Sequence, residues 1–223
     1  MRKISRFVLP VAIIAAACSW QVSAADMVIT ASRVATAPKL AAGAADPVWA
    51  KVKALTVDLA GGENFAGGKG ATRATLKSVY SGDMLYMLMQ YADPTQSMRR
   101  SPFVKQADGS WKKLSDPDDK GGSYYIRAAD KVAFDDGKFK PGDEVASIVV
   151  APFTGDRGDI ATAIKWAGGR WTAVMSRKLV TAGKFDVQFD NLDGTYEFGV
   201  ATFDNAQVRH AFHAGVIKLK FTK

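Results

Sequence analysis

The chain contains 223 residues, among them 30 Lys and Arg, 22 Asp and Glu, two His and one Cys. Its net charge of +8 is spread along the chain without a basic run, which argues against nucleic acid and favours an acidic protein as the partner. With one cysteine, the chain can form no internal disulfide.

Residues 1–24 have the pattern of a secretion signal. Arg2, Lys3 and Arg6 precede an apolar run over 7–17, and Val22-Ser23-Ala24 supplies the small residues that a signal peptidase requires. The apolar run is too short to span a bilayer. We therefore expect export to the periplasm and a single mature domain over residues 25–223, because no linker or internal repeat divides them.

The one cysteine, Cys18, lies within this signal and allows a second form of export. Ala15-Ala16-Ala17-Cys18 is a poor lipoprotein cleavage site that, if used, would anchor the protein to a membrane through a lipid on Cys18. Cleavage after Ala24 leaves a mature chain without cysteine. That outcome excludes thiolate metal sites, iron–sulfur clusters and the thioether links of a c-type haem, so any haem must be held without covalent bonds.

The first clear structural prediction is a β-hairpin. Residues 71–80 and 84–91 are rich in strand-forming residues and flank Ser81-Gly82-Asp83, which contains a turn glycine. The second strand is apolar on both faces, so we expect it to be a central strand buried on both sides. One face carries Leu85, Met87, Met89 and Tyr91, and the other carries Met84, Tyr86 and Leu88.

The remainder of the chain also predicts short strands. They are expected at 123–128, 131–134, 145–151, 171–178, 185–189, 195–203 and 215–222. Helical periodicity is scarce, with one helical turn expected at 46–52. The glycine-rich stretch 61–70 lacks the ending of a phosphate-binding loop and is interpreted as a loop that could cover a ligand. Many short strands between turn signals predict an all-β fold, a single β-sandwich with short helical turns in its loops.

Several short segments occur in a fixed order, although none is distinctive alone. They are Ala45-Asp46-Pro47-Val48-Trp49, Tyr91-Ala92-Asp93-Pro94-Thr95, Ser97-Met98-Arg99-Arg100-Ser101-Pro102-Phe103, Asp130-Lys131-Val132-Ala133-Phe134, 171–179 and Phe203-Asp204-Asn205. This series resembles the haem-binding domain of the ethylbenzene dehydrogenase gamma-subunit family, which is related in fold to DOMON domains and to a class of carbohydrate-binding modules. The resemblance covers nearly the whole mature chain. It implies a β-sandwich that binds one b-type haem and transfers electrons in the periplasm.

The resemblance also implies two axial ligands for the haem iron. Family members use a methionine and a lysine, and the lysine lies in the C-terminal segment. Here that segment contains Arg209, His210 and His213, with no lysine before Lys218. Arginine cannot lose its proton to bind iron, so a histidine must replace the lysine if the site is retained. A methionine–histidine pair suits an electron-transfer haem.

The spacing of the two histidines limits how they can act. On an extended strand, residues three apart point to opposite faces, so a single haem would receive only one of them. His213 has the same parity as the apolar residues of the last strand, which favours His213 over His210 as the inward ligand. A bulge at Gly215 would reverse this assignment, and a helical turn over 207–213 would let both imidazoles bind one metal. A bis-histidine haem is a third arrangement.

Met98 is the preferred methionine ligand. It lies among polar and basic residues, where a thioether beside Arg99 and Arg100 suits a haem edge, because either guanidinium could pair with a propionate. In the alternative interpretation Met98 folds back onto the sandwich. Met84, Met87 and Met89 are interpreted as core residues, and Met175 is a weaker candidate ligand.

Three functions agree with these observations. The first is a non-catalytic electron carrier that exchanges electrons with a periplasmic cytochrome or molybdenum oxidoreductase, and the second is a gamma-type subunit bound permanently to a molybdenum enzyme. The third is a haem-free carbohydrate- or small-ligand-binding module, in which Trp111, Trp166 or Trp171 could stack on a sugar. Acidic turns at 116–122 and 156–159 offer oxygen ligands for calcium, but neither has EF-hand spacing.

Overall fold

The structure is a computed structural model that describes residues 27–64, 69–94, 96, 102–113, 135–145, 155–203 and 206–223. The strands expected at 123–128 and 131–134, and most of the one expected at 145–151, lie outside these residues. Within the described ranges the chain is almost entirely strands and turns. No helix in these ranges is long and apolar enough to cross a membrane.

Four of the described strands contain nine residues or more, and the others are shorter. They are β1 (Met27–Arg33), β2 (Leu55–Asn64), β3 (Lys69–Ser81), β4 (Met84–Ala92), β5 (Phe103–Lys105), β6 (Trp111–Lys113), β7 (Glu144–Val145), β8 (Ala161–Ala167), β9 (Arg170–Lys178), β10 (Tyr196–Phe198), β11 (Ala201–Thr202), β12 (Ala206–Arg209), β13 (Ala211–Phe212) and β14 (Ile217–Thr222). Short 3-10 turns occupy Leu40–Ala45, Pro47–Lys51, Asp136–Lys138 and Gly155–Gly158.

The hairpin of β3 and β4 forms the centre of the main sheet, as predicted. The two strands pair antiparallel from Ser81 opposite Met84 to Ala74 opposite Tyr91, and Gly82 takes a φ of 57° in the turn between them. A positive φ is unfavourable for residues with a Cβ, which explains the glycine. The other edge of β4 pairs with β9 along its whole length, and β9 pairs in turn with β8.

The second edge of β3 is shared by two strands. Its first part pairs antiparallel with β2, and its last part pairs parallel with β1. The β2 branch continues into β12, β13 and β11, whereas the β1 branch continues into β14 and β10. Side chains from both branches meet in one core, which contains Ile29, Val57, Leu59, Leu76 and Leu219. The fold is therefore an all-β sandwich, as the sequence indicated.

The central strand β4 is buried on both faces, also as predicted. Leu85, Met87, Met89 and Tyr91 belong to the main core just described. Met84, Tyr86 and Leu88 instead face a second apolar cluster, which is formed with Trp49, Val52, Val79 and Val174. The segment around the turn Pro47–Lys51 covers this second face of the sheet.

Two sequence-based predictions of local structure were wrong. Residues 185–189 form no strand, because the side-chain amide of Gln188 bonds to Thr181 and Gly183 and folds the segment into a loop in which Phe185 is 88% exposed. The glycine-rich stretch 61–70 is mainly the end of the β2–β3 hairpin rather than a loop, although 65–68 lie outside the described residues. The strand expected at 195–203 divides into β10 and β11.

Asp46 holds the covering segment in place. Its carboxylate accepts hydrogen bonds from the backbone N–H of Lys39 at 2.9 Å and of Val48 at 3.0 Å, and so caps the turn that carries buried Trp49. These backbone donors hold the pKa of Asp46 below its ordinary value of 3.8, because they stabilise the ionised form. The stabilisation is complete above that ordinary value and is lost as the pH falls through the lowered pKa.

We expect Asp46→Asn to flatten the acid limb of the stability profile. The wild type should lose stability more steeply than the variant below about pH 4, because only the wild type must protonate a bonded carboxylate. Urea unfolding at several pH values measures this difference. Asp58→Asn is the matched control, since Asp58 forms only an exposed ion pair with Arg73. Parallel profiles for wild type and Asp46→Asn would contradict the prediction.

Candidate cofactor site

The two histidines follow the alternation of a short strand pair near the C-terminus. In the antiparallel pair of β11 and β13, Ala201 lies opposite Phe212 and Thr202 lies opposite Ala211. Thr202 and Ala211 are buried, whereas their neighbours Ala201 and Phe212 are exposed. The backbone N–H of His213 donates to the carbonyl of Val200 at 3.0 Å, which extends the same register by one more pair.

His213 places one ring nitrogen inside the protein. The residue as a whole is half-buried, but its Nε2 is fully buried and has no hydrogen-bond partner in the part of the chain that the structure describes. Leaving such a buried group unpaired costs about 1–3 kcal/mol. An imidazole nitrogen with an unused lone pair is also the commonest metal-binding atom in proteins. His213 is therefore the strongest candidate ligand on this face.

His210 lies on the outer face of the same segment. It is exposed, and its ring packs edge-on against Phe203 at 5.3 Å and Phe212 at 6.2 Å between centroids. The two imidazoles thus point to opposite sides, and the described geometry does not bring them together on one metal.

Thr202 is a second polar residue on the inner face, and no pattern in the sequence had pointed to it. Only 3% of the residue is exposed, and its Oγ1 has no hydrogen-bond partner among the described residues. Val200 and Ala211, which share this face, are buried and apolar. The inner face of the β11–β13 pair therefore carries two buried polar atoms without partners, Thr202 Oγ1 and His213 Nε2.

The register also shows which end of the sheet this face occupies. Phe212 pairs with Ala60 of β2, and the adjacent Leu59 pairs with Thr72 of β3. The Thr72 hydroxyl in turn donates to the carbonyl of Ala92 at 2.9 Å, at the end of β4. His213 and the C-terminal end of β4 thus lie at the same end of the sheet.

The chain leaving β4 leads to the other residues selected from the sequence. Met98, Arg99 and Arg100 follow within a few residues of Asp93, but all three lie outside the described residues. The structure describes the chain before them as far as Asp93 and Pro94, at the end of β4.

Asp93 holds the end of β4 in place. It is fully buried, its carboxylate accepts from Trp171 Nε1 at 2.8 Å, and its carbonyl accepts from Trp166 Nε1 at 2.9 Å. One residue therefore holds the end of β4 and both indoles of the β8–β9 hairpin. The third tryptophan considered for sugar stacking, Trp111, is only 3% exposed and donates to Asp136 at 2.7 Å. Trp111 thus serves a buried contact rather than an open stacking surface.

The other methionines considered as ligands lie among apolar residues of the core or of a pocket. Met87 and Met89 pack against the main core and Met84 against the second cluster, as expected for thioethers that fill gaps. Met175 lies opposite Met87, and both line an apolar pocket of about 300 Å³ beside Leu85. Leu85 pairs with Tyr80, so this pocket lies at the end of the sheet opposite to His213.

Of the two acidic turns considered for calcium, only one lies within the described residues. Residues 155–158 form a 3-10 turn, and 116–122 lie outside the described residues. Within the ranges that are described, no group of three or more His, Cys, Asp and Glu side chains could hold a metal ion.

Comparison with known proteins gives a matching family and several similar solved structures, of which two are described here. A family model described as "Ethylbenzene dehydrogenase" matches residues 46–134 and 116–215. A family 9 carbohydrate-binding module from Caldicellulosiruptor kristjanssonii, solved with glucose, is 12% identical with a TM-score of 0.44, and the match covers 87% of this chain and 95% of that one. Its cellotriose complex is 14% identical, with 88% and 95% coverage and a TM-score of 0.42. No curated protein matches.

Because Nε2 of His213 is buried without a partner, replacing His213 by an apolar residue should stabilise the ligand-free protein. We expect His213→Leu to raise the free energy of unfolding of the ligand-free protein by about 1 kcal/mol, because leucine fills a similar volume without a buried polar atom. Chemical denaturation measures the change. His210→Leu is the control and should have little effect, since His210 is exposed. A destabilised His213→Leu protein would show that Nε2 is satisfied in solution.

Proposed function

The chain belongs to the ethylbenzene dehydrogenase family, and on this premise we propose that it is a non-catalytic electron-transfer protein with one non-covalent b-type haem. When bound, haem supplies an iron that accepts and releases single electrons. The match spans residues 46–215 and so includes β2 to β13 and His213. The observation that carries the proposal is the buried, unpartnered Nε2 of His213.

The residues around His213 fit an iron porphyrin in two respects. Nε2 is buried without a partner, and in the tautomer protonated at Nδ1 it would carry the lone pair that an axial ligand requires. Val200 and Ala211 beside it are apolar and buried in the main core, so the nitrogen lies in surroundings that exclude water. His210, packed outside between two phenylalanines, has no such surroundings.

We propose Met98 as the second axial ligand. The chain leaves β4 at the end of the sheet that carries His213, and five residues from Asp93 to Met98 can extend by at most about 17 Å. The proposal requires Met98 to reach a group bound at His213 within this length. Arg99 and Arg100 follow it directly and would bring positive charge to the propionates.

The proposed setting is the periplasm, with residues 1–24 removed and residues 25–223 forming the haem domain. The export signal and the family membership support this setting. The proposed redox partner is a cytochrome or a molybdenum oxidoreductase, to which the protein binds either transiently or as a gamma-type subunit. The chemistry is the same in both cases, because His213 and Met98 would hold the haem and the partner would supply or accept the electron.

Absorption spectra of the purified mature protein test the proposal. We expect a Soret band and a pyridine haemochrome of haem b. His213→Ala should lose the haem or change its spectrum, because the variant lacks the imidazole ligand. His210→Ala should keep the wild-type spectrum and serves as the control.

Two results would contradict the proposal. A wild-type protein that binds no added haem would favour a haem-free ligand-binding module, which sugar titrations followed by tryptophan fluorescence would then examine. A His213→Ala spectrum identical to that of the wild type would show that the imidazole is not a ligand.

Met98→Ala should lower the reduction potential of the bound haem. Thioether ligation stabilises ferrous iron, so its loss favours the oxidised form. Spectroelectrochemical titration measures the potential, with Met84→Ala as the control because Met84 packs in the second cluster. An unchanged potential in Met98→Ala would transfer the role to another methionine, and Met89 would be the first to examine because it is the core methionine of β4 nearest the His213 end.

A further inference from the structure

A groove of about 500 Å³ separates the 3-10 turn Leu40–Ala45 from the β8–β9 hairpin. It lies on the second face of the sheet, because the lining residue Ala163 pairs directly with Val174 of the second apolar cluster. The covering segment thus leaves this face open along β8 and β9. We call this opening the cationic groove, for the charges described next.

Three side chains with hydrogen-bond donors line the cationic groove. Thr172 lies directly opposite Lys165 in the β8–β9 pair, and Arg170 lies two residues from Thr172 on the same strand. Opposite residues, and residues two apart on one strand, share a face of the sheet. Diagonal neighbours such as Lys165 and Arg170 are about 7–8 Å apart at their attachment points, a gap that two long side chains can close on one ligand.

The two positive charges of the groove have no counter-ion from the protein. Lys165 and Arg170 are exposed, and neither forms an ion pair or a side-chain hydrogen bond within the described ranges. No Asp or Glu is among the described residues that line the groove. Other cations of the structure, such as Arg73 and Lys223, pair with carboxylates nearby. The groove therefore attracts an anion from solution.

Thr172 adds a directed donor between the two cations. Its Oγ1 accepts a hydrogen bond from Gln90 Nε2 at 3.0 Å, which holds the side chain in one orientation. The hydroxyl hydrogen itself meets no acceptor among the described residues. A threonine hydroxyl that already accepts one bond can still donate one, so it can bond to an oxygen of a bound anion.

We propose that the cationic groove binds a short dicarboxylate. The planar fork of Arg170 matches one carboxylate, to which Thr172 can also donate, and Lys165 takes the other. The charge of such a ligand equals that of the two cations. Alanines of the turn and of β8 also line the groove, and their methyl groups suit the hydrocarbon between the carboxylates. This site is independent of the haem proposal.

Calorimetric titration of the purified protein at low ionic strength tests the site. The probes are succinate, butyrate and inorganic phosphate. We expect succinate to bind about tenfold more tightly than butyrate, which has the same chain length but one carboxylate, and more tightly than phosphate. Lys165→Gln and Arg170→Gln should each weaken succinate binding by about tenfold. Thr172→Val should weaken it less, and Thr172→Ser should bind as the wild type does.

Lys178→Gln is the matched control, because it removes the same charge from the other end of β9, where Lys178 is exposed. We expect wild-type affinity in this variant. Equal weakening in Lys178→Gln would show a general attraction of anions to the surface and would overturn the site. Phosphate binding as tight as that of succinate, or no measurable binding of succinate, would also overturn it. Chemical denaturation verifies that each variant folds, and none of these outcomes affects the haem proposal.

Discussion

The architecture depends on one edge of β3, which pairs with two different strands along its length. β3 is thirteen residues long, and its edge away from β4 pairs first with β2 and then with β1. The two neighbours diverge from this point, so the sheet must separate into two branches that close over a common core. Because β13 joins the β2 branch and β14 joins the β1 branch, the segment between them, which includes His213, spans the two branches at one end of the sandwich.

Hydrogen bonding differs sharply between two neighbouring places at one end of the sheet. At the Asp93 end of β4, one buried residue satisfies two indoles and fixes the exit of the strand. At the nearby β11–β13 pair, two buried polar atoms remain without partners in the described structure. Folded proteins pair nearly all such atoms, so each exception requires an explanation, and a bound ligand or water is one. Trp49 Nε1, in the second cluster, is a further unpaired atom in the described structure. The contrast at one end of the sheet is the physical basis of the proposed cofactor site.

The sequence predicted the features that depend on local periodicity. The two apolar faces of β4 and the 3-10 turn at Trp49 were identified because neighbouring residues alone determine them. Thr202 could not be identified, since its burial depends on pairing with Ala211 across a separate strand. β2 was missed because Gly61 and Gly62 interrupt its pattern. The structure explains the glycine at position 62, since a Cβ there would lie 3.0 Å from the backbone of Ala211. The strand expected at 185–189 failed because the side chain of Gln188 outweighed a short apolar alternation.

The bonding of Trp166 and Trp171 to Asp93 gives the protein an internal optical reporter. Both indoles are held in fixed orientations beside the end of β4, where the chain departs toward Met98. Energy transfer from an excited indole depends on the distance and orientation of the acceptor chromophore. A porphyrin at this end would quench both fluorophores from defined positions, so the decay of tryptophan emission would record how far any bound ring lies from Asp93.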